Sequence, residues 1–511
     1  MLEPGSLSSR LTNALPAGVK VRAYHISTFP SISSALFAAP PGQLEQRTEC
    51  ESHFLAISSP SEGERQEIIV FAIEVLIFST RKLTTVFVSK ADSSGFSSRL
   101  GRQKSTPSVV VSVTATFLDF LLQPRLAAGR LVLSLFARSQ HQYLFPGSIE
   151  NAGKHVLDDR QLIKWWCRVL DLIVRRYNQG LSGSSAGKAT AHLVIPGCDR
   201  SETRAFFPPS SRQDSPVEPV WQNSYPVACL AEDTAVPPRC LIPRLPDDPK
   251  ARFLDDLDDD FISDQGQWRS VKSLEQFWEM MSFRQECSAG RLVGFVWVVF
   301  AQDHRVSESD LTLLTPTNPP PAAGASAESS SPLPDLYSAT PPISSAGPPS
   351  LIQPLKEPPH HLPRDGPLEN GNPAPPSAAD NLVSDGHCTS PVFIESTQGQ
   401  VVVDGEKYQT LLDHLLQSDF AGDHLAAHST RSWIRKALDL SNATAFGEDV
   451  EGRSVLAPPK TVEISTSKVN VLTGVRKKRK LDVVEAQAEQ PPASEITSTP
   501  GSELSKKKTK N

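Results

Sequence analysis

Strand-length β-branched runs interleaved with amphipathic helical segments predict a mixed α/β fold, a central sheet flanked by helices. Three observations carry this. EIIVFAIEVLIFST (67–80) and LTTVFVSK (83–90) are two apolar runs joined at Arg81 and Lys82, the signature of a β-hairpin in a core. Residues 158–180 place Leu162, Ile163, Trp166, Val169, Leu170, Ile173 and Tyr177 at helical spacing. GRLVGFVWVVF (290–300) is a continuous β-branched and aromatic run, as a strand buried on both faces requires.

The remaining elements follow in order. Residues 1–60 hold short apolar runs and Pro-rich joints, read as peripheral strands and turns. After the hairpin, ADSSGFSSRLGRQK is a loop and VTATFLDFLL a helix. RLVLSLFAR is a further strand, followed by a Pro-Gly turn at QYLFPGS. The 158–180 helix starts on Asp158 or Asp159, carries Arg175 and Arg176 in its last turn and stops at Gly180. Residues 181–215 read as loop, VWQNSYPVACL as a strand, RLPDDPKARFLDDLDDD as a turn-rich segment and SVKSLEQFWEMMSFRQE as an amphipathic helix.

The 511 residues suggest roughly three domains by length alone. Composition argues otherwise. Of 44 prolines, 18 fall between Leu311 and Asp380 among Ser and Ala, where too little apolar surface exists to offset ordering entropy. One domain is therefore expected, its main part at 1–305, a disordered Pro/Ser/Ala-rich insert at 306–394, a helical completion at 395–445, and a disordered basic tail at 446–511.

Net charge is −6, but residues 460–511 hold 11 basic and 6 acidic side chains, so the tail is +5 and the rest −11. An acidic body suits a basic partner and is a poor phosphate binder, which argues against sequence-specific DNA binding. Arg476–Lys480, five consecutive basic residues, read as a nuclear-import signal. Seven scattered cysteines without a CxxC pair point to free thiols in a reducing compartment and to no zinc or other metal site. The first residues lack a signal-peptide pattern, and the longest apolar run, Ile68–Phe78, is interrupted by Glu74 and too short for a membrane helix. A soluble nuclear protein is expected.

Several motifs fail on inspection. GSSAGKA has three residues between its glycines, where a Walker A loop needs four, and ends in Ala189 in place of a hydroxyl. RLVGFV lacks the last small residue of an acetyltransferase pyrophosphate loop and lies within an expected strand. Three segments carry more information. VSKADSSGF puts Asp92 at a strand end before a loop containing Arg99, Arg102 and Lys104, which suits a phosphorylated cofactor. QYLFPGSIENAGKHVLDDRQLIKWW gathers Tyr143, Trp165 and Trp166 around one turn and helix start, with core packing as the plainer account of each ring. PDDPKARF holds Asp247, Asp248, Lys250 and Arg252 in a turn braced by proline on both sides, which solvent exposure alone does not require.

These three segments, in this order, resemble the fungal histone acetyltransferase family named for regulation of Ty1 transposition, which modifies lysine fifty-six of newly made histone H3. The likeness covers most of residues 1–300 and, more weakly, 395–445. It implies a single mixed α/β acetyltransferase domain similar to the CBP-type enzymes, with acetyl-CoA as co-substrate and no metal. By position it implies cofactor contacts at Ala91, Asp92, Ser93, Phe136, Gln140, His155, Val156, Leu157 and Trp165, with Arg99 and Arg102 as basic candidates on the nearby loop. Tyr143 and Trp166 match aromatics of the lysine entrance, Asp247 and Asp248 the acidic pair of the catalytic turn, and Lys250 a lysine that the family acetylates on itself.

The chemistry suits those residue types. A lysine amine with a pKa near 10.4 must lose a proton before it attacks a thioester. A carboxylate in a partly desolvated turn can take that proton. Asp248 is assigned as the acceptor, with Asp247 or Asp92 supporting. Acetylation of Lys250 would remove a charge from a crowded turn and lock it over the cofactor. Expected partners are H3–H4 and histone chaperones of the anti-silencing and NAP families. The chain departs from the family in carrying extra residues, QKSTPSVVVS, before the 113–122 helix, and in a short 122–131 connection where other members hold the lysine-rich loop on which the NAP-type chaperone docks. The competing reading is a non-catalytic nuclear histone-binding scaffold, which would explain the charge and the tail but not the braced PDDPK turn.

Overall fold

The computed structural model describes residues 5–61, 63–101, 108–127, 129–180, 188–231, 233–260, 262–284, 287, 290–301 and 395–454. The proposed insert and import signal, Arg102 and Lys104 lie outside them.

In chain order the elements are α1 (Leu7–Ala14), β1 (Lys20–Thr28), β2 (Ser31–Ser33), β3 (Thr48–Ser59), β4 (Ile68–Ser79), β5 (Leu83–Ser93), α2 (Val109–Leu122), β6 (Arg130–Ala137), α3 (Asp159–Gly180), β7 (Ala189–Val194), α4 (Arg200–Arg204), β8 (Trp221–Gln222), α5 (Val227–Leu230), α6 (Pro249–Asp260), α7 (Leu274–Met281), β9 (Gly294–Phe300), β10 (Val401–Val403), α8 (Gly405–Leu416), α9 (Asp423–Ser441) and β11 (Glu448–Glu451). All eleven strands of the described residues join one mixed sheet, in the order β10-β1-β3-β4-β5-β6-β9-β7-β8, with β11 added to β1 and β2 to β3. The expected mixed α/β architecture is what forms.

The strand order explains the burial. β9 sits between β6 and β7 and is buried along its whole length. Its alternate residues serve opposite faces, Val296, Val298 and Phe300 meeting α3 while Phe295, Trp297 and Val299 meet α6 and α7. α1, α2 and α3 pack side by side on one face. On the other, Trp433 of α9 lies against Tyr24 and Phe54 of β1 and β3. No helix of the described residues is long and apolar enough to cross a membrane.

Several sequence expectations need correction. Residues 1–60 are not peripheral: β1 and β3 are inner strands, and their His25, Ser27, Glu51 and His53 are buried polar groups that mask the apolar alternation. An unexpected helix, α1, starts where the Ser6 side chain accepts from the Ser9 N–H. PKARFLDDLDDD is a helix, not a turn, because Pro249 opens it without an N–H to lose and Phe253, Leu254 and Leu257 give it one buried stripe. Ala189–Val194, read as loop, is strand β7, whereas VWQNSYPVACL keeps only two strand residues before Pro226 leads into α5. At the end of the domain, β11 pairs antiparallel with β1 at Lys20–Ala23 and order runs to Ser454, within the stretch expected as tail.

Candidate active site

β4 and β5 pair antiparallel with Glu74 opposite Lys90, after which the register slips so that Val75 faces Val88 and Ser89 is the extra residue. Such a bulge re-aims side chains. Glu74 is a buried acid in an apolar strand, a position tolerable only when the charge is paired. Lys90 Nζ lies 2.7 Å from its Oε2, and Tyr408 Oη of α8 donates to its Oε1 at 2.9 Å.

Two residues beyond Lys90, Asp92 ends the strand. Its Oδ2 accepts from the backbone N–H groups of Tyr143 and Leu144 at 2.7 and 3.0 Å, and its Oδ1 lies 2.6 Å from Lys154 Nζ and accepts from the Ser93 N–H. Lys154 also donates to the Ser93 carbonyl. Asp92 thus ties β5 to the loop carrying Tyr143, with both oxygens engaged. Gly95 completes the joint, since its φ of +93° and the nearness of the Asn151 side chain and the Lys154 backbone nitrogen leave no room for a Cβ.

The braced turn faces this loop. Asp247 has φ +57°, the left-handed conformation that Asp adopts more readily than most residues. Asp248 caps α6, its Oδ1 accepting from the Lys250 N–H at 2.9 Å while its Oδ2 takes the Lys250 ammonium. Both side chains are 1% exposed. Lys250 Nζ stands 4.2 Å from the centre of the Phe295 ring and 5.6 Å from that of Trp297, a desolvated cation–π arrangement. Burial pulls the Lys250 pKa down against the opposing pull of Asp248, and the net shift is downward. Nearby in the same core, the indole N–H groups of Trp278 and Trp297 are buried without an acceptor among the described residues.

Asp247, by contrast, is 58% exposed and lies 3.4 Å from Lys90 Nζ. The Lys90 pKa is lowered by burial, but Glu74 and Asp247 outweigh that and raise it, so this ammonium stays charged. The Tyr143 phenol is raised above its usual range, first by burial, with Lys90 pulling it down and Asp247 pushing it up. Tyr143, Lys90 and Asp247 are therefore electrostatic neighbours.

The other sequence candidates divide. Ala91 and Ser93 flank Asp92 on β5. Phe136, at the end of β6, stacks on Phe87 at 6.2 Å. Gln140 lines a cavity of about 660 Å³ together with Ser139, His141, Gln142, Ile149 and Asp158. His155 is exposed, Val156 and Leu157 are half-buried, and the Leu157 carbonyl accepts from Ser139. Trp165 is half-buried and meets Trp166 edge-on at 4.8 Å, while Trp166 itself faces the core. Arg99 does not join this group: it binds the Gln66 carbonyl and Asp423 and borders a different cleft. Sequence reasoning missed Lys90, Lys154 and Tyr408, and it noted Glu74 only as an interruption; a lone acid in a buried strand was the available signal.

Residues 7–130 and 125–436 match the histone acetyltransferase KAT11-type domain. The chain is 42% identical over 511 positions to the histone acetyltransferase rtt109 of Aspergillus flavus, covering 93% of this chain and 89% of that protein. It is 31% identical over 287 positions to its counterpart in Schizosaccharomyces pombe, covering 54% and 67%. The crystal structure of Rtt109 from Aspergillus fumigatus superposes with a TM-score of 0.67 at 40% identity, over 88% of this chain and all of that one. An enzyme, rather than a scaffold, stands behind the acidic body. The likeness that runs almost end to end places this chain in the Rtt109 family of histone acetyltransferases.

Proposed function

We propose that this enzyme acetylates histone H3, chiefly lysine fifty-six, on newly made H3–H4 for replication-coupled chromatin assembly and genome stability, and that it acetylates its own Lys250. The observation that carries the reading is the pair of adjacent carboxylates with opposite fates. Asp248 is sealed against Lys250, whereas Asp247 faces outward beside Tyr143 and Lys90. Acetyl-CoA supplies the activated acetyl thioester. Gln140, His155, Val156, Leu157 and Trp165 would hold it, and the neutral amides and apolar Ile149 of the 660 Å³ cavity suit its amide-rich arm. Phe136, Ala91 and Ser93 would add further contacts outside that cavity.

Asp247 then takes the proton of the incoming lysine, a role the sequence alone gave to Asp248. Both Asp248 oxygens are engaged and shielded, so it supports the turn from below. Asp92 likewise positions Tyr143 through its backbone. Tyr143 and Trp166 would guide the aliphatic stem, and attack on the thioester is direct. Acetylating Lys250 would remove a buried charge, and the indole N–H groups of Trp278 and Trp297, without an acceptor among the described residues, offer donors for an acetyl carbonyl.

The acidic body suits H3–H4, presentation by an anti-silencing-type chaperone fits a substrate lysine within the histone fold, and the tail sequence suits nuclear import. The test is incubation of the purified protein with labelled acetyl-CoA and chaperone-bound H3–H4, followed by mass spectrometry. Label on H3 lysine fifty-six and on Lys250 is expected. Label on other H3 lysines alone, or none on Lys250, would overturn the corresponding part.

A further inference from the structure

Lys90 belongs to none of the groups assigned above, yet four elements converge on it. From β4, Glu74 lies 2.7 Å away; from its own strand, Ser89 Oγ lies 3.1 Å away; from the braced turn, Asp247 approaches to 3.4 Å. From α8, beyond the insert in sequence, Tyr408 holds the second oxygen of Glu74. The side chain is 17% exposed, so its ammonium is largely desolvated and its charge is weakly screened. The other charged or titratable groups close by are Tyr143, Arg138 and, behind Glu74, Cys50 of β3.

We propose that Lys90, anchored by Glu74 and Tyr408, is a positioning residue that fixes the Asp247 carboxylate at the lysine entrance and sets a permanent positive charge beside the substrate amine. This deepens the function proposed above and rests on Asp247 lining that entrance. Two consequences follow from one cation. A neighbouring positive charge disfavours a second ammonium, so the substrate lysine gives up its proton more readily. The same charge, 3.4 Å away, holds the Asp247 side chain over a turn whose left-handed backbone few residues other than glycine, asparagine and aspartate adopt. The bulge at Ser89 serves this arrangement, since it brings Lys90 directly opposite Glu74. The segment after the insert is then part of the catalytic unit: without Tyr408, Glu74 loses a donor and its grip on Lys90 loosens.

The proposal predicts a pH signature. The rate of H3–H4 acetylation at saturating acetyl-CoA is measured from pH 6 to 9.5 for the wild type, Lys90→Met, Lys90→Arg and Tyr408→Phe. In Lys90→Met the rising limb of kcat/KM should move to higher pH by about one unit, because the substrate ammonium holds its proton longer without a neighbouring cation. Lys90→Arg keeps the charge and should keep the limb, and Tyr408→Phe should fall between. Lys90→Met strands a buried Glu74, so Lys90→Met/Glu74→Gln, which removes both charges, is read if the single variant does not fold. An unmoved limb in the charge-free variant, or an equal shift in Lys90→Arg, overturns the proposal. Full activity of Asp247→Asn would instead overturn the underlying reading of the entrance, whatever Lys90 does.

Discussion

Two buried polar clusters hang on neighbouring strand pairs of one sheet, β1–β3 and β4–β5, and they differ in where they end. On the face covered by α2, His25 and His53 share a 3.2 Å hydrogen bond, and Glu51 pairs with Arg125, which also donates to the Leu121 carbonyl and to Thr397. Every member is sealed from solvent. On the opposite face, Glu74 and Lys90 are equally committed to each other, but their chain of contacts runs out to an exposed carboxylate, Asp247. The first cluster can only hold the sheet together. The second delivers charge to a place a substrate can reach, and that difference, rather than burial or charge count, separates structural from functional polarity here.

The comparison breaks most easily at Arg125. Arg125→Ala leaves Glu51 as an uncompensated buried charge and should cost about 3–5 kcal/mol of stability, read from the urea midpoint. The protein that remains folded should acetylate H3–H4 at close to the wild-type rate. A large loss of rate per folded molecule would mean that the closed cluster also serves the site.

A smaller effect should come from pH. Burial lowers the pKa of His25, first through desolvation and then through His53, and desolvation likewise lowers those of His53 and His192, the last to about 4. The folded pKa lies below the unfolded one, so these groups contribute stability that is present above about pH 6.5 and is lost as pH falls. The loss should reach about 1.4 kcal/mol per pH unit for each histidine that stays neutral while its unfolded counterpart protonates. Unfolding midpoints at pH 7.5, 6.5 and 5.5 should fall accordingly, and the slope should flatten in His25→Gln/His53→Gln. A wild-type midpoint independent of pH over that range would contradict the burial of these rings.

Legibility in the sequence follows the same division. The hairpin β4–β5, α3 and β9 were readable because apolar periodicity is uninterrupted over Ile68–Phe78, Leu162–Tyr177 and Phe295–Phe300 apart from Glu74 and the polar face of the helix. β1 and β3 were not, because their buried His25, Glu51 and His53 are paid for by partners more than twenty residues away or across the insert. The braced turn could be singled out from its two prolines, and the resemblance supplied roles for its residues. Which of the two aspartates faces outward depends on the sign of one backbone angle and on the rings of Phe295 and Trp297, and neither is written locally in PDDPK. Tyr408 reaches Glu74 from 334 positions away, beyond any pattern in one sequence.

The division of labour between the two adjacent aspartates is tested most directly by Asp247→Asn, which keeps the shape of the side chain and removes its charge. With acetyl-CoA binding retained, turnover on H3–H4 should fall by roughly 10²-fold or more, as loss of a general base does. Near-wild-type turnover in this variant, at saturating acetyl-CoA and H3–H4, would contradict the assignment of Asp247 as the group that takes the proton.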